Sequence, residues 1–177
     1  MKNFFKEKNT SSHVKLLVIS ALFTAMVTVA TMIIKIPTPL KGYANIGDAA
    51  VLLSGWMLPA PYAFAAAAVG SALADVILGY AVYAPATFLI KGVMALIAYF
   101  GVKLLSKHTG AVLSLLIPAF TAEAFMVVAY YLFEGVLYGF APSLLNIPAN
   151  AVQGVISLVI GILAVSALSK TKSVFKK

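Results

Sequence analysis

Asp48, Asp75, Lys91, Asn150 and Gln153 are ionisable or amide side chains set inside, or at the ends of, strongly apolar runs. Such groups are costly in lipid, usually face the interior of a helix bundle and often mark a substrate path. Tyr43, Asn45 and Tyr83 stand close to them in sequence, and Trp56 closes the stretch Lys41–Trp56, "KGYANIGDAAVLLSGW". Charges, amides and phenols of this kind suit the orientation of a small polar ligand against apolar walls. They do not suit bond cleavage. No GxSxG, HExxH or Walker A motif occurs, and the absence of cysteine excludes iron–sulfur clusters and a thiol nucleophile. His13 and His108 lie in charged flanks and make no metal set. The expectation is a binding protein, not an enzyme, with no metal and no cofactor.

The elements that carry these residues must be membrane helices. Hydrophobic residues make up 62% of the 177 positions and charged residues 10%, and mean hydropathy is +1.02. A soluble core of this size cannot bury that excess. Runs of roughly 20 apolar residues are needed to span a bilayer. The runs are Leu16–Ile34, Ile46–Met57 (short, and complete only if Asp48 dips below the headgroups), Tyr62–Leu78, Ala86–Leu105, Ala111–Phe133 and Ile147–Leu168. The expected fold is therefore an all-α integral membrane protein, with six transmembrane helices in one bundle. It forms a single domain over 1–177, with basic tails at about 1–14 and 169–177. Lys35, Pro37 and Pro39 follow the first run in place of a small-residue cleavage site, so it is read as a retained span and not a signal peptide.

Lysine distribution orients the bundle. Ten of the 13 lysines fall on one side if six spans are crossed: Lys2, Lys6, Lys8, Lys15, Lys103, Lys107, Lys170, Lys172, Lys176 and Lys177. The positive-inside rule makes that side, with both termini, cytoplasmic in the cell membrane. The net charge of +8 is thus a topology signal. Nucleic acid is not an expected partner, since the chain has no arginine, the residue best suited to bidentate phosphate and base contacts. Asp48, Asp75, Lys91, Asn150, Gln153 and most tyrosines then share the external half. Lys91 requires a partner, Asp75 or Asp48. Asp48 also stands where a helix N-cap is needed.

Small residues form a second pattern. Ala21-x-x-x-Ala25 lies on one face of the first span, and Ala66-x-x-x-Gly70-x-x-x-Ala74 on one face of the third. Both let helices approach closely in lipid.

The run Gly42–Gly92 resembles the S components of energy-coupling factor (ECF) vitamin transporters, in the riboflavin-type branch that includes hydroxymethylpyrimidine and pyridoxine receptors. The GY-x-N-x-GD element of Gly42–Asp48 and the YAPATFxIKG element of Tyr83–Gly92 carry that resemblance. "NIPANAVQG", Asn146–Gly154, resembles the family's sixth-span entry, and Ala21-x-x-x-Ala25 its alanine motif. The resemblance implies a prokaryotic, high-affinity vitamin receptor that docks on a T subunit through Ala21 and Ala25 and is energised by two ATPases. The loop between spans one and two would be its lid. The implied ligand contacts are Tyr43, Asn45, Asp48, Trp56, Asp75, Tyr83, Lys91, Asn150 and Gln153, around hydroxymethylpyrimidine or pyridoxine, with riboflavin the larger alternative. The competing reading is a six-span membrane scaffold of the rod-shape type, which binds no cargo and has no use for the polar cluster.

Overall fold

The computed structural model describes residues 10–174. The tail lysines Lys2, Lys6, Lys8, Lys176 and Lys177 lie outside them. The helices are α1 (Thr10–Ile33), α2 (Gly47–Met57), α3 (Ala60–Ile77), α4 (Ala84–Leu105), α5 (Ala111–Tyr138), the short α6 (Phe140–Ser143) and α7 (Ile147–Val174). A single 3₁₀ turn, Leu144–Asn146, links the last two. The expected all-α architecture holds, with one addition. Two two-residue strands, β1 (Ile36–Pro37) and β2 (Tyr43–Ala44), pair antiparallel between α1 and α2. Pro37 and Pro39 hide this ribbon in the sequence, because proline lacks a ladder donor. The ribbon is closed instead by Thr38 N–H donating to Gly42 O (2.9 Å), with Lys41 in the left-handed region at φ 57°.

Among the described residues, five helical segments are long and apolar enough to cross a membrane: α1, α3, α4, α5 and the α6–α7 segment. The Ile46–Met57 run is not among them. As α2 it has 11 residues, about 16 Å at 1.5 Å per residue, roughly half of a ~30 Å hydrocarbon core. Its lower end, Trp56, rests against Gly161 near the middle of α7. Every residue from Gly47 to Gly55 is buried, because α2 is packed by α1, α3, α4 and α7 together. A helix wrapped on all sides is apolar all round, which is why its periodicity says nothing about which face meets the core.

Around α2 the core runs through Val27, Leu52, Met94 and Met126 to Ala119 and Ala122, and lipid-facing positions such as Leu22, Phe120 and Leu163 stay exposed. The two small-residue stripes part company here. Ala66, Gly70 and Ala74 are buried. Gly70 meets α1 so closely that an added Cβ would strike Val27 and Thr24 O, and Thr28 Oγ1 donates to Gly70 O (2.9 Å). That stripe is internal packing. Ala21 and Ala25 are exposed.

Candidate functional site

The polar residues meet at the end of the bundle that holds the ribbon. Asp48 is the second residue of α2, and Lys91 lies two turns into α4. Lys91 Nζ donates to Asp48 Oδ1 at 2.5 Å, and Gln153 Nε2, from α7, donates to Asp48 Oδ2 at 2.5 Å. Asp48 is 0% exposed and Lys91 3%. Of the two partners open to Lys91, the structure takes Asp48. The amino group also sits 5.2 Å from the centre of the Tyr130 ring, so the cation is held by a carboxylate and by an aromatic face.

Asp48 does not cap α2, contrary to the sequence expectation. Its carboxylate points across the bundle to Lys91 and Gln153. The α2 start is satisfied by Asn45, whose Oδ1 accepts from Gly47 N–H (2.8 Å). Asn45 N–H in turn donates to Gln153 Oε1 (2.8 Å). One amide, Gln153, thereby links the ribbon's exit to the buried ion pair.

Asp75, at the end of α3, holds the ribbon instead of Lys91. Tyr43 Oη donates to Asp75 Oδ1 at 2.6 Å, and the Tyr43 and Tyr80 rings pack at 4.6 Å. Burial first, and then the neighbouring Asp75 charge, push the Tyr43 phenol well above its ordinary range, so it remains a donor. Tyr83, just ahead of α4, behaves alike. Burial and then Glu134 raise its phenol, and its Oη donates to Leu40 O (2.8 Å) within the ribbon loop and to Glu134 Oε1 (3.3 Å). The ribbon is therefore fastened to α3, the α4 entry and α7.

Beneath it lies a cavity of about 30 Å³, lined by Tyr43, Asn45, Asp75, Tyr83, Lys91, Asn150 and Gln153 among others. Asp48 lies under this layer, bonded to two of its members. Trp56 stands apart, at the other end of α2. Residues that the sequence left unassigned complete the wall: Thr31, Thr38, Ser71, Thr87, Tyr130 and Glu134. Thr87 and Tyr130 share a hydrogen bond of 3.0 Å, and Asn146 Nδ2 donates to Glu134 Oε1 (2.8 Å). Glu134 falls just past the Ala111–Phe133 run in the sequence, but α5 continues to Tyr138 and so draws it inside. Hydroxyls on apolar helices carry no spacing signal, so the threonines were not legible.

Four buried atoms of this cluster have no hydrogen-bond partner: Thr38 Oγ1, Ser71 Oγ, Asp75 Oδ2 and Glu134 Oε2. All four can accept. Chemically the cluster is one fixed cation, several carboxylate and hydroxyl acceptors, and tyrosine walls.

The family model for the S component of ECF-type riboflavin transporters matches residues 11–170. The chain belongs to that family. It is thus a subunit of a membrane transporter, and the rod-shape scaffold reading falls. A solved structure of the S component of a bacterial ECF transporter superposes on it with a TM-score of 0.70, covering 90% of this chain and 98% of that one. At 21% identity this likeness speaks for the fold of the S component. An uncharacterized protein in the gap 3'region of Pyrococcus woesei is 36% identical over 136 residues, covering 76% of this chain and 88% of that relative.

Proposed function

We propose that this S component captures a small aromatic heterocycle bearing hydroxyl or amino groups, hydroxymethylpyrimidine or pyridoxine before riboflavin. It takes the vitamin from outside a prokaryotic cell and delivers it inward with a T subunit and two ATPases. The supporting observation is the set of unpartnered acceptors beneath the ribbon, Asp75 Oδ2 and Glu134 Oε2 foremost. A buried polar atom without a partner costs about 1–3 kcal/mol. Ligand hydroxyl and amino hydrogens would recover that cost, while Lys91 faces a ring nitrogen or oxygen and the tyrosines stack on the ring. The contacts in this reading are Tyr43, Asn45, Asp48, Asp75, Tyr83, Lys91, Asn150 and Gln153. Trp56 would act only from beneath, by holding α2 in place.

Size favours the smaller vitamins. Ligand pockets usually enclose about 300–1,000 Å³, far above the cavity of about 30 Å³ seen with the ribbon fastened. A one-ring ligand demands the least expansion. The description of the matching family, a riboflavin transporter, favours the three-ring vitamin as the second reading.

In this account α2 and its turn complete a sixth crossing. The ribbon end faces outward, and the end with Lys15, Lys103 and Lys107 faces the cytoplasm with both termini. The exposed Ala21 and Ala25 stripe receives the T subunit. The ribbon is the lid, since lifting it breaks a few hydrogen bonds from Tyr43, Asn45 and Tyr83 and the Tyr43–Tyr80 ring contact. Proteolysis of a segment that opens and recloses quickly follows its open population. A ligand bound only to the closed form reduces that population about a hundredfold at 100 times its Kd. Cleavage within residues 35–45 should therefore slow by about that factor when reconstituted protein is saturated with the vitamin. Equal cleavage rates with and without hydroxymethylpyrimidine, pyridoxine and riboflavin would count against both lid and cargo.

A further inference from the structure

We infer that the cavity beneath the ribbon selects its ligand by charge: Asp75 and Glu134 seat a protonated amine, so that an aminomethyl heterocycle binds more tightly than the matching alcohol and a phosphate ester is refused. The inference rests on the function proposed above and names the ligand group that the site prefers.

Three carboxylates but one ammonium meet at this end of the bundle. Lys91 is held by Asp48 at 2.5 Å, and it reaches Asp75 only through its field. Asp75 and Glu134 line the cavity, and each is 3% exposed. Among the described residues neither has an ion-pair partner. Each accepts on one oxygen, as an ionised carboxyl does. Asp75 Oδ1 takes the Tyr43 hydroxyl (2.6 Å), and Glu134 Oε1 takes the Asn146 amide (2.8 Å) and the Tyr83 hydroxyl (3.3 Å). Asp75 Oδ2 and Glu134 Oε2 are buried without a partner. Lys35 and Lys41, in the segment that carries the ribbon, are exposed, and neither lines the cavity.

The other unpartnered atoms have the same character. At the ribbon end they are all oxygens: Thr38 Oγ1, Ser71 Oγ and Asn146 Oδ1 stand beside the two carboxylate oxygens. Trp56 Nε1, a buried donor without a partner, belongs to the far end of α2. A ligand must therefore bring hydrogens and, to offset two buried carboxylates, positive charge. A hydroxymethyl group brings one hydrogen and no charge. An aminomethyl group is an alkyl ammonium at neutral pH, with three hydrogens and a full charge. Hydrogen bonds with an ionised partner are roughly twice as strong as neutral ones. The alcohols still bind, through the same oxygens, with the ring still facing Lys91. A phosphate ester would set a charge of about −2 against acids that already lack cations, in a chain with no arginine to receive it.

Calorimetry on the full chain in nanodiscs tests this with matched ligands. Pyridoxamine is compared with pyridoxine, hydroxymethylpyrimidine with its aminomethyl analogue, and pyridoxine with its phosphate ester. Each amine should bind at least about tenfold more tightly than its alcohol, and the ester at least about a hundredfold more weakly than pyridoxine. In the double variant Asp75→Asn, Glu134→Gln the amines should lose their advantage, because both amides keep an acceptor for Tyr43 and Asn146 but carry no charge. Alcohols that bind as tightly as the amines, or an ester that binds like pyridoxine, would overturn the inference and leave the proposed function standing. An amine preference that survives in the double variant would overturn it too. Binding of none of these compounds would remove the one-ring reading of the function and this inference with it. The comparison within the parent protein decides alone if the double variant does not fold.

Discussion

Lys91→Met is expected to weaken vitamin binding by at least about thirtyfold, since truncating one partner of a buried hydrogen-bonded charge pair costs about 2–5 kcal/mol. The single variant will also lose stability. Asp48 is 0% exposed and would keep only Gln153 as a partner, and an uncompensated buried charge costs about 3–5 kcal/mol. The informative protein is therefore Lys91→Met with Asp48→Asn. An asparagine removes the orphaned charge and still accepts from Gln153. Thermal unfolding should return most of the way to the parent value, while calorimetry should still show the affinity loss. If the double variant is stable and binds the vitamin as tightly as the parent, Lys91 is a structural cation and not a ligand contact.

Ala25→Trp is expected to leave vitamin binding within about twofold of the parent and to abolish uptake in cells that also make the T subunit and the ATPases. Ala21 and Ala25 lie four residues apart, so their methyls share one face of α1, and both are exposed. The contacts on the other side of the helix are already used: Val27 is fully buried, and Thr28 bonds to Gly70 O. A tryptophan at position 25 projects outward and disturbs neither α3 nor the ribbon end, where the ligand cluster lies. It blocks close helix approach by bulk alone. Loss of binding together with uptake would show that the stripe serves internal packing, and unchanged uptake would show that the T subunit docks elsewhere.

The sequence was most informative where lipid imposed the constraint. Five of the six expected spans and the polar residues gathered at one end were legible, because apolar length and ionisable groups in lipid are strong signals. The partner of Lys91 was narrowed to two acids but not chosen. That choice depends on α2 being inserted between α4 and α7, a tertiary fact. The capping role given to Asp48 followed from its position alone. Asn45, two residues before Gly47, had equal local claim to the helix start, and only the geometry shows Asp48 turned inward. Trp56 looked like a site residue because it closes the motif-bearing stretch, yet α2 carries it about 12 Å along the axis from Asp48.

Native mass spectrometry of the S component, purified from membranes without added ligand, tests the central claim most directly. One bound molecule per chain is expected, with the mass of hydroxymethylpyrimidine or pyridoxine, and its loss in the Lys91→Met, Asp48→Asn protein. A chain that carries nothing, and gains no mass after equilibration with those two compounds or riboflavin, would contradict it.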